Sequence, residues 1–538
     1  MPVINIDNAA FQHDAQAQFD AELHIDAVFS IDKYVTPNGT NTLIEGIRGT
    51  GKTHMLKMIS TRIIERFSDI RVLPVYISLA EVSEYVTKDP ALFRVHFYST
   101  LIIRTIETIK NNRQQIEFKE DNVLLQLTKQ FAMLFGFFEE DNFDTLLDKI
   151  ESYAEGLQRE ILTNPTKISE ITKSVEECAA GVKSPGIQVD AKRNDETSHS
   201  LEYITIKLAH LNASQFMTEF FKYLHSVLRL RHTMLLVDEC SDLPQEGQIE
   251  VFRLFKLIRG GTRIDNSRNF LYFIGGVYPP QATCYPSKAL GSSFDFEPGD
   301  DCAVEYLELD VQLDFYEEFF KNLLLAKLRK FHKNQYSNIG DIFEDDRSFL
   351  LATYASHGLP RRFFEILHQS YENLIEFAAS RPIQDNRVYK IRYSDVTAAI
   401  DKIVNTTILS SRKFTKQDLQ TLESISNTLK RRNKKVDTEA ATKTNYVPIN
   451  FYFTCPRSKE DLIGNLIAKG VLHNQSRTRS LKHTIDGLGG KGLVIMVDLS
   501  ISYSEGVIPN KLRAVEYFQK DTRLSAKNGY EYCQTIQL

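Results

Sequence analysis

The octapeptide Gly46-Ile47-Arg48-Gly49-Thr50-Gly51-Lys52-Thr53 constrains the fold of this 538-residue chain more than any other feature. It stands between an apolar run, NTLIEGI (41–47), and a segment with helical periodicity, KTHMLKMISTRIIERF. Three glycines allow a tight loop whose backbone N–H groups point inward, which makes a cradle for an anion. The helix that follows aims its positive end at the same anion. At average residue usage the four fixed positions of GxxxxGK[ST] match by chance in about one chain of this length in fifty. The strand-loop-helix context lowers that further.

The surrounding pattern is that of an α/β fold with a parallel sheet. NTLIEGI, VLPVYISL (72–79), TMLLVDE (233–239), NFLYFIGGVY (269–278) and VEYLELDV (304–311) are short β-rich runs, most of them apolar throughout. Such runs suit strands covered on both faces. Helical segments separate them, which predicts a doubly wound arrangement. The stretch 85–232 reads as amphipathic helices inserted after the second strand, with a polar, Pro/Gly-bearing segment, VKSPGIQVDAKRNDETSH, as an exposed loop. Residues 312–405 read as four helices, and 406–538 as a module of helix, strand, helix ending at Gly470, and a strand pair with a basic Gly-rich tip. The expected domains are 1–311, 312–405 and 406–538.

Two carboxylates end the third apolar run: Met234-Leu235-Leu236-Val237-Asp238-Glu239. In a parallel sheet they fall at the carboxyl edge, beside the glycine loop. Lys52 is then expected to reach the β- and γ-phosphates of a bound nucleotide, with Thr53 and Asp238 on Mg²⁺ and Glu239 polarising the attacking water. Gly358-Leu359-Pro360-Arg361-Arg362 opens a further helix. Pro360 suits a first helical position, and Arg361 would present a forked cation to phosphates. Arg362 takes that role if the helix phase differs.

Together these motifs resemble the AAA+ superfamily, in its origin-recognition-complex-like branch and the related STAND nucleotide switches. GIRGTGKT is similar to Walker A, MLLVDE to Walker B, and GLPR to a sensor-two GxxR or a STAND GxP. The resemblance implies a P-loop NTPase domain, a helical lid and a C-terminal winged-helix-like domain. It implies ATP and Mg²⁺ as ligands, with Gly46 to His54 and Pro360 lining the nucleotide. It also implies an ATPase with Lys52, Glu239 and Arg361 as its catalytic set. One departure stands out. The interval 279–303, where the origin branch carries an arginine finger, holds Lys288 and no Arg, while Arg259, Arg263 and Arg268 precede the fourth strand. ATP-bridged homo-oligomers are therefore in question, and a slow ATPase or a nucleotide-gated switch gains ground. Gly275 and Gly276 occupy the place of a polar water-positioning residue, with Tyr278 and Asn269 nearby.

Charge separates the partners open to the chain. The net charge is −5, but residues 387–538 carry 25 Lys+Arg against 14 Asp+Glu, so the remainder is strongly acidic. The basic end, including KRRNKK (430–435), SRTRSLKH (476–483) and Gly489, Gly490 and Gly492, suits a salt-sensitive contact with duplex DNA. Alternatively it packs against acidic surface of its own chain or of a neighbour. A protein partner docking on the helical insertion is the other reading, in the manner of a signalling or scaffold switch. Six cysteines lie too far apart for a CxxC motif, the thirteen histidines show no HExxH spacing, and no apolar run is long enough to span a bilayer. A reduced, cytoplasmic protein without zinc or membrane contact is expected.

Overall fold

The computed structural model describes residues 3–11, 19–26, 28–85, 90–116, 122–135, 142–164, 208, 213–261, 263–264, 268–333, 335–380, 388–410, 412–440, 446–480, 490–528, 530 and 533–536. The expected loop 182–199 lies outside them, as do residues 481–489 of the basic tip. The chain divides into two compact units. One comprises Ser30–Glu45 and Lys52–Tyr306, the other Met1–Phe29, Gly46–Gly51 and Leu307–Leu538.

The first unit is built on a five-stranded parallel sheet. Its strands are β1 (Thr42–Glu45), β2 (Val72–Ser78), β3 (His232–Asp238), β4 (Leu271–Val277) and β5 (Ala303–Tyr306), in the order β2-β3-β4-β1-β5. β3 is buried at every position, as expected of a strand covered on both faces. Pro74 is tolerated within β2 because β2 is an edge strand. β2 and β3 finish level, with Ser78 paired to Asp238. β4 lies between β1 and β3, so the strand bearing the two acids does not adjoin the strand that enters the glycine loop.

Helix α1 (Lys52–Glu65) packs on β2 and β3. The stretch 85–232 is helical where described: α2 (Pro90–Asn111), α3 (Asn122–Leu134), α4 (Phe143–Thr163) and α5 (Ala213–Val227). Residues 91–103 of α2 are all buried, and α2 lies against β2. Its apolar side chains join those of the sheet and of α3 to α5 in one core. That continuity accounts for the apolar richness of ALFRVHFYSTLII, in which Arg94, His96, Ser99 and Thr100 are buried as well. Helix α6 (Gln245–Gly261) follows β3.

The long C-terminal part of the second unit starts at Leu307, just after β5. The run VEYLELDV was expected to be a strand throughout, but pairing ends at Tyr306. Leu309 and Val311 instead enter the core of this unit. Four helices follow: α7 (Tyr316–His332), α8 (Asp346–Ala355), α9 (Pro360–Ala379) and α10 (Tyr393–Ile403). Then come α11 (Lys416–Ala440), β6 (Tyr452–Pro456), the short α12 (Gly464–Ala468), β7 (Leu472–Ser480) and β8 (Lys491–Val497). The unit closes with α13 (Leu499–Ser504), α14 (Ala514–Lys527) and β9 (Gln534–Thr535), in a sheet ordered β9-β6-β8-β7.

The apolar run GLVIMVDLSISY (492–503) supplies the second strand of the expected pair. Its strand finishes at Val497 because Asp498 accepts hydrogen bonds from the N–H groups of Ser500 and Ile501 and starts α13. On α11, Lys430, Arg431, Lys434 and Lys435 are exposed, whereas Asn433 is buried and tied to the backbone of Asn450 and Val507. Among the described residues, no helix is long and apolar enough to cross a membrane.

Candidate functional site

The glycine loop takes the conformation its composition requires. Gly49 and Gly51 have φ of +97° and +100°, a region that side chains disfavour. Thr50 is buried, and its hydroxyl donates to the Ile47 carbonyl at 3.0 Å, which closes the turn. Gly46 and Ile47 are buried and Arg48 is exposed. Thr50 therefore shapes the loop from within, while Arg48 faces solvent.

In the first unit, Lys52 and Thr53 open α1, with His54 half-buried behind them. Asp238 is 1% exposed at the end of β3. It accepts a hydrogen bond from Tyr76 Oη at 3.1 Å and another from the Glu239 N–H at 2.9 Å, and the Thr53 side chain acts on it from the start of α1. Burial raises its pKa above the ordinary carboxyl value, and the nearby Glu239 adds to this; the Thr53 side chain and the Lys52 charge oppose it. The two residues expected to share a metal are thus close enough for Thr53 to influence the Asp238 carboxyl. A hydroxyl and a carboxylate are hard oxygen donors, the kind Mg²⁺ takes, with water and phosphate oxygens completing its shell.

The glycines of β4 make this meeting possible. A Cβ on Gly276 would lie 3.0 Å from Asp238 Oδ1, and one on Gly275 would lie 2.9 Å from the Phe255 ring. A polar side chain at either position would displace the acid or the core. Just past β4, Tyr278 sets its ring 4.4 Å from Lys52 Nζ. Its hydroxyl donates to Asp242 at 2.9 Å and its N–H to Ser241 at 2.8 Å. Asn269 precedes β4, at the other end of that strand. Sequence alone left Tyr278 and Asn269 level; the fold puts Tyr278 on the lysine.

Glu239 has a left-handed backbone, φ 62°, which turns its side chain toward β2. Its Oε2 accepts from Ser78 Oγ at 2.5 Å and from the Ala80 N–H at 3.3 Å. Nothing in the sequence flagged Ser78. It enters the site because β2 and β3 end level.

In the second unit, α9 starts with Leu359 as N-cap and Pro360 in the first turn. Gly358 has φ +76°, and a Cβ there would lie 2.2 Å from the Leu309 carbonyl oxygen. Arg361 is half-buried with its Cβ 3.3 Å from where a Gly49 Cβ would stand, so it lies on the glycine loop. Arg362 turns inward to Asp498 and does not serve as the alternative phosphate ligand. Of the other basic residues considered, Arg259 is paired with Asp301 at 3.4 Å and Lys288 with Asp295 at 3.6 Å. The side chains of Arg263 and Arg268 lie outside the described residues.

The sequence of residues 26–264 matches the family model described as ORC-CDC6-like. No curated protein matches the chain. Among solved structures it is similar to the Aeropyrum pernix ORC1 protein in complex with DNA, at 13% identity and TM-score 0.27, covering 91% of this chain and 88% of that one. It is also similar to the Aeropyrum pernix ORC2 protein in ADPNP-ADP complexes, at 12% identity and TM-score 0.35, covering 91% and 89%. The ADP form of that ORC2 protein gives 11% identity and TM-score 0.34, covering 97% and 98%. Superpositions this loose carry no functional argument. The matched stretch, residues 26–264, carries the glycine loop, the first three strands of the parallel sheet and the paired acids, and over it the chain is similar to the ORC-CDC6-like family.

Proposed function

We propose that this chain binds ATP with Mg²⁺ and hydrolyses it slowly, and that it does so in association with DNA. The observation that carries the nucleotide reading is Asp238, buried at the end of β3, with Lys52 and Thr53 at the start of α1 both acting on its carboxyl. In this reading the N–H groups of residues 46–53 hold the phosphates, and Lys52 leaves the Tyr278 ring for the β- and γ-oxygens. Thr53 and Asp238 hold the metal, which when bound offsets phosphate charge. Glu239 orients the attacking water once it leaves Ser78, and Arg361 adds charge from α9. His54 and Pro360 line the nucleotide. The domains are 1–311, 312–405 and 406–538, the last a winged-helix-like module.

Glu239→Gln tests this reading against Lys52→Ala. The first protein should bind ATP and retain it unhydrolysed, since losing a general base costs about 10²–10⁴ in rate. The second should not bind. Equal hydrolysis by wild type and Glu239→Gln would remove Glu239 from the mechanism.

The DNA reading rests on the four exposed cations of α11 and the basic excess beyond Arg387. No base-reading pattern accompanies them, so binding should be weakly sequence-specific and fall steeply with salt. A full-length chain that fails to shift duplex DNA in low salt argues against it. The exposed Met133 and Leu162, at 64% and 65% on the α3 and α4 helices, favour a second reading. There a protein partner docks on the helical stretch and the ATPase acts as a switch. Co-purification of a stoichiometric protein without nucleic acid would select that reading.

A further inference from the structure

A cluster of charged side chains lies inside the second unit, one residue beyond Arg361. Arg362 is buried and donates through Nη1 to Asp498 Oδ2, and through Nη2 to the Gly470 carbonyl at 3.5 Å. Asp498 is fully buried at the cap of α13, where its Oδ1 accepts from the Ser500 N–H at 2.9 Å. His473, on β7, sets Nε2 3.2 Å from Asp498 Oδ2 and Nδ1 3.3 Å from Glu308 Oε2. Both ring nitrogens face carboxylate oxygens, so both carry hydrogen and the ring is an imidazolium. Burial alone would lower its pKa; the hydrogen bonds to Asp498 and Glu308 outweigh burial and raise it.

His357, in the turn before α9, stacks on His473 at 3.7 Å and accepts the Leu499 N–H at Nδ1, 3.1 Å. Burial and the neighbouring His473 hold it neutral. Two cations, Arg362 and His473, thus balance two carboxylates, Asp498 and Glu308. Removing one partner of such a buried set strands the others.

His357, His473 and Asp498 bring their ligand atoms within 4.8 Å of one another. The chemistry does not favour a metal there. The imidazoles are stacked 19° from parallel, so their in-plane lone pairs do not converge. Arg362 already occupies Asp498, and Leu499 occupies His357 Nδ1.

The cluster instead reaches the glycine loop. Gly470, whose carbonyl receives Arg362, packs against Ile47: a Cβ on Gly470 would stand 2.5 Å from Ile47 Cδ1. The paired arginines at the start of α9 therefore face opposite ways, Arg361 onto Gly49 and Arg362 into the cluster. The first turn of α9 cannot rotate without drawing Arg362 from Asp498.

We propose that Arg362, Asp498 and His473 are positioning residues for Arg361, holding it on the phosphate loop only while β7 and the cap of α13 are in place. The inference rests on the nucleotide reading above. It makes the C-terminal module part of the nucleotide site, and any partner that displaces β7 releases Arg361. By thermodynamic reciprocity, nucleotide binding tightens the module.

The test is a double-mutant cycle on the full chain, reading affinity for a fluorescent ATP analogue with Mg²⁺ and melting temperature side by side. Asp498→Asn should weaken binding by about tenfold, the loss expected of one charge-assisted hydrogen bond. In an Arg361→Ala background the same change should alter affinity little, although it lowers the melting temperature equally in both. Wild-type affinity should also fall as pH rises through the raised His473 pKa, because the imidazolium is the form that bridges the two carboxylates. His473→Gln should flatten that profile and serves if Asp498→Asn does not fold. Asp498→Glu should restore part of the affinity. Equal loss in both backgrounds, or unchanged binding by a folded Asp498→Asn or His473→Gln protein, overturns the inference while ATP binding by wild type stands. A wild-type chain that binds no ATP overturns the nucleotide reading itself.

Discussion

Ser78 Oγ donates a 2.5 Å hydrogen bond to the Glu239 carboxylate, which ties the expected catalytic base to the end of the neighbouring strand. A carboxylate so held must be released before it can polarise a water at the phosphates. Ser78→Ala removes the hydroxyl and leaves the longer bond from the Ala80 N–H in place. A hydrogen bond to a charged group contributes about 1.5–3 kcal/mol, so basal hydrolysis should rise by about tenfold or more. Steady-state phosphate release measures this, and a rate at or below wild type would show that Ser78 does not restrain the base.

Tyr278 and Lys52 make the second testable pair. The ring competes with phosphate for the ammonium, and a cation–π contact is worth about 0.5–2 kcal/mol. Tyr278→Leu should tighten ATP binding by about 2- to 30-fold. Tyr278→Phe keeps the ring and should stay near wild type. Titration calorimetry separates them, and weaker binding by the Leu variant would mean that the ring helps to hold the bound state.

Asp238 gives a prediction with a definite sign. Its folded pKa is raised, chiefly by burial, so the folded protein holds that proton more tightly than the unfolded chain. The resulting stability is present at low pH and is lost as pH rises from the ordinary carboxyl value through the raised one. At neutral pH the buried carboxyl is a net cost to stability. Asp238→Asn should therefore raise the melting temperature at pH 7, with a smaller gain near pH 4, while abolishing hydrolysis. A lower melting temperature at pH 7 would show that the hydrogen bonds from Tyr76 and Glu239 matter more than desolvation.

Gly358 tests the junction before α9. Its positive φ and the 2.2 Å approach that an added Cβ would make to the Leu309 carbonyl oxygen act together. Gly358→Ala should cost about 3 kcal/mol or more, read as a lower denaturation midpoint. It should also loosen Arg361. A midpoint within experimental error of wild type would mean that the turn relaxes freely.

Much of the site could be read from residue order. Gly46 to Thr53 and Met234 to Glu239 are local signals, because a loop, a helix start and a strand end are set by neighbours in sequence. The four helices between 312 and 405 were legible for the same reason: their apolar spacing repeats every turn. The limits of local reading are equally specific. VEYLELDV has one hydrophobic pattern, but Val304 to Tyr306 pair as a strand while Leu309 and Val311 enter the core of the second unit, so pairing stops at Tyr306 for a reason no local pattern states. GLVIMVDLSISY conceals a helix start, since a capping aspartate in an apolar run looks like one polar residue in a strand.

By itself the sequence determined the glycine loop, the two acids at the end of an apolar strand, the parallel sheet and the basic character of the C-terminal end. Those follow from backbone preferences and side-chain chemistry within a few residues. Only the tertiary structure decided that β4 separates β1 from β3 and needs Gly276 to clear Asp238, that Ser78 holds Glu239, and that Arg361 and Arg362 part company. These relationships join residues up to 161 positions apart. They arise from strand order, register and the demand that buried charges find partners, none of which a local stretch of sequence encodes.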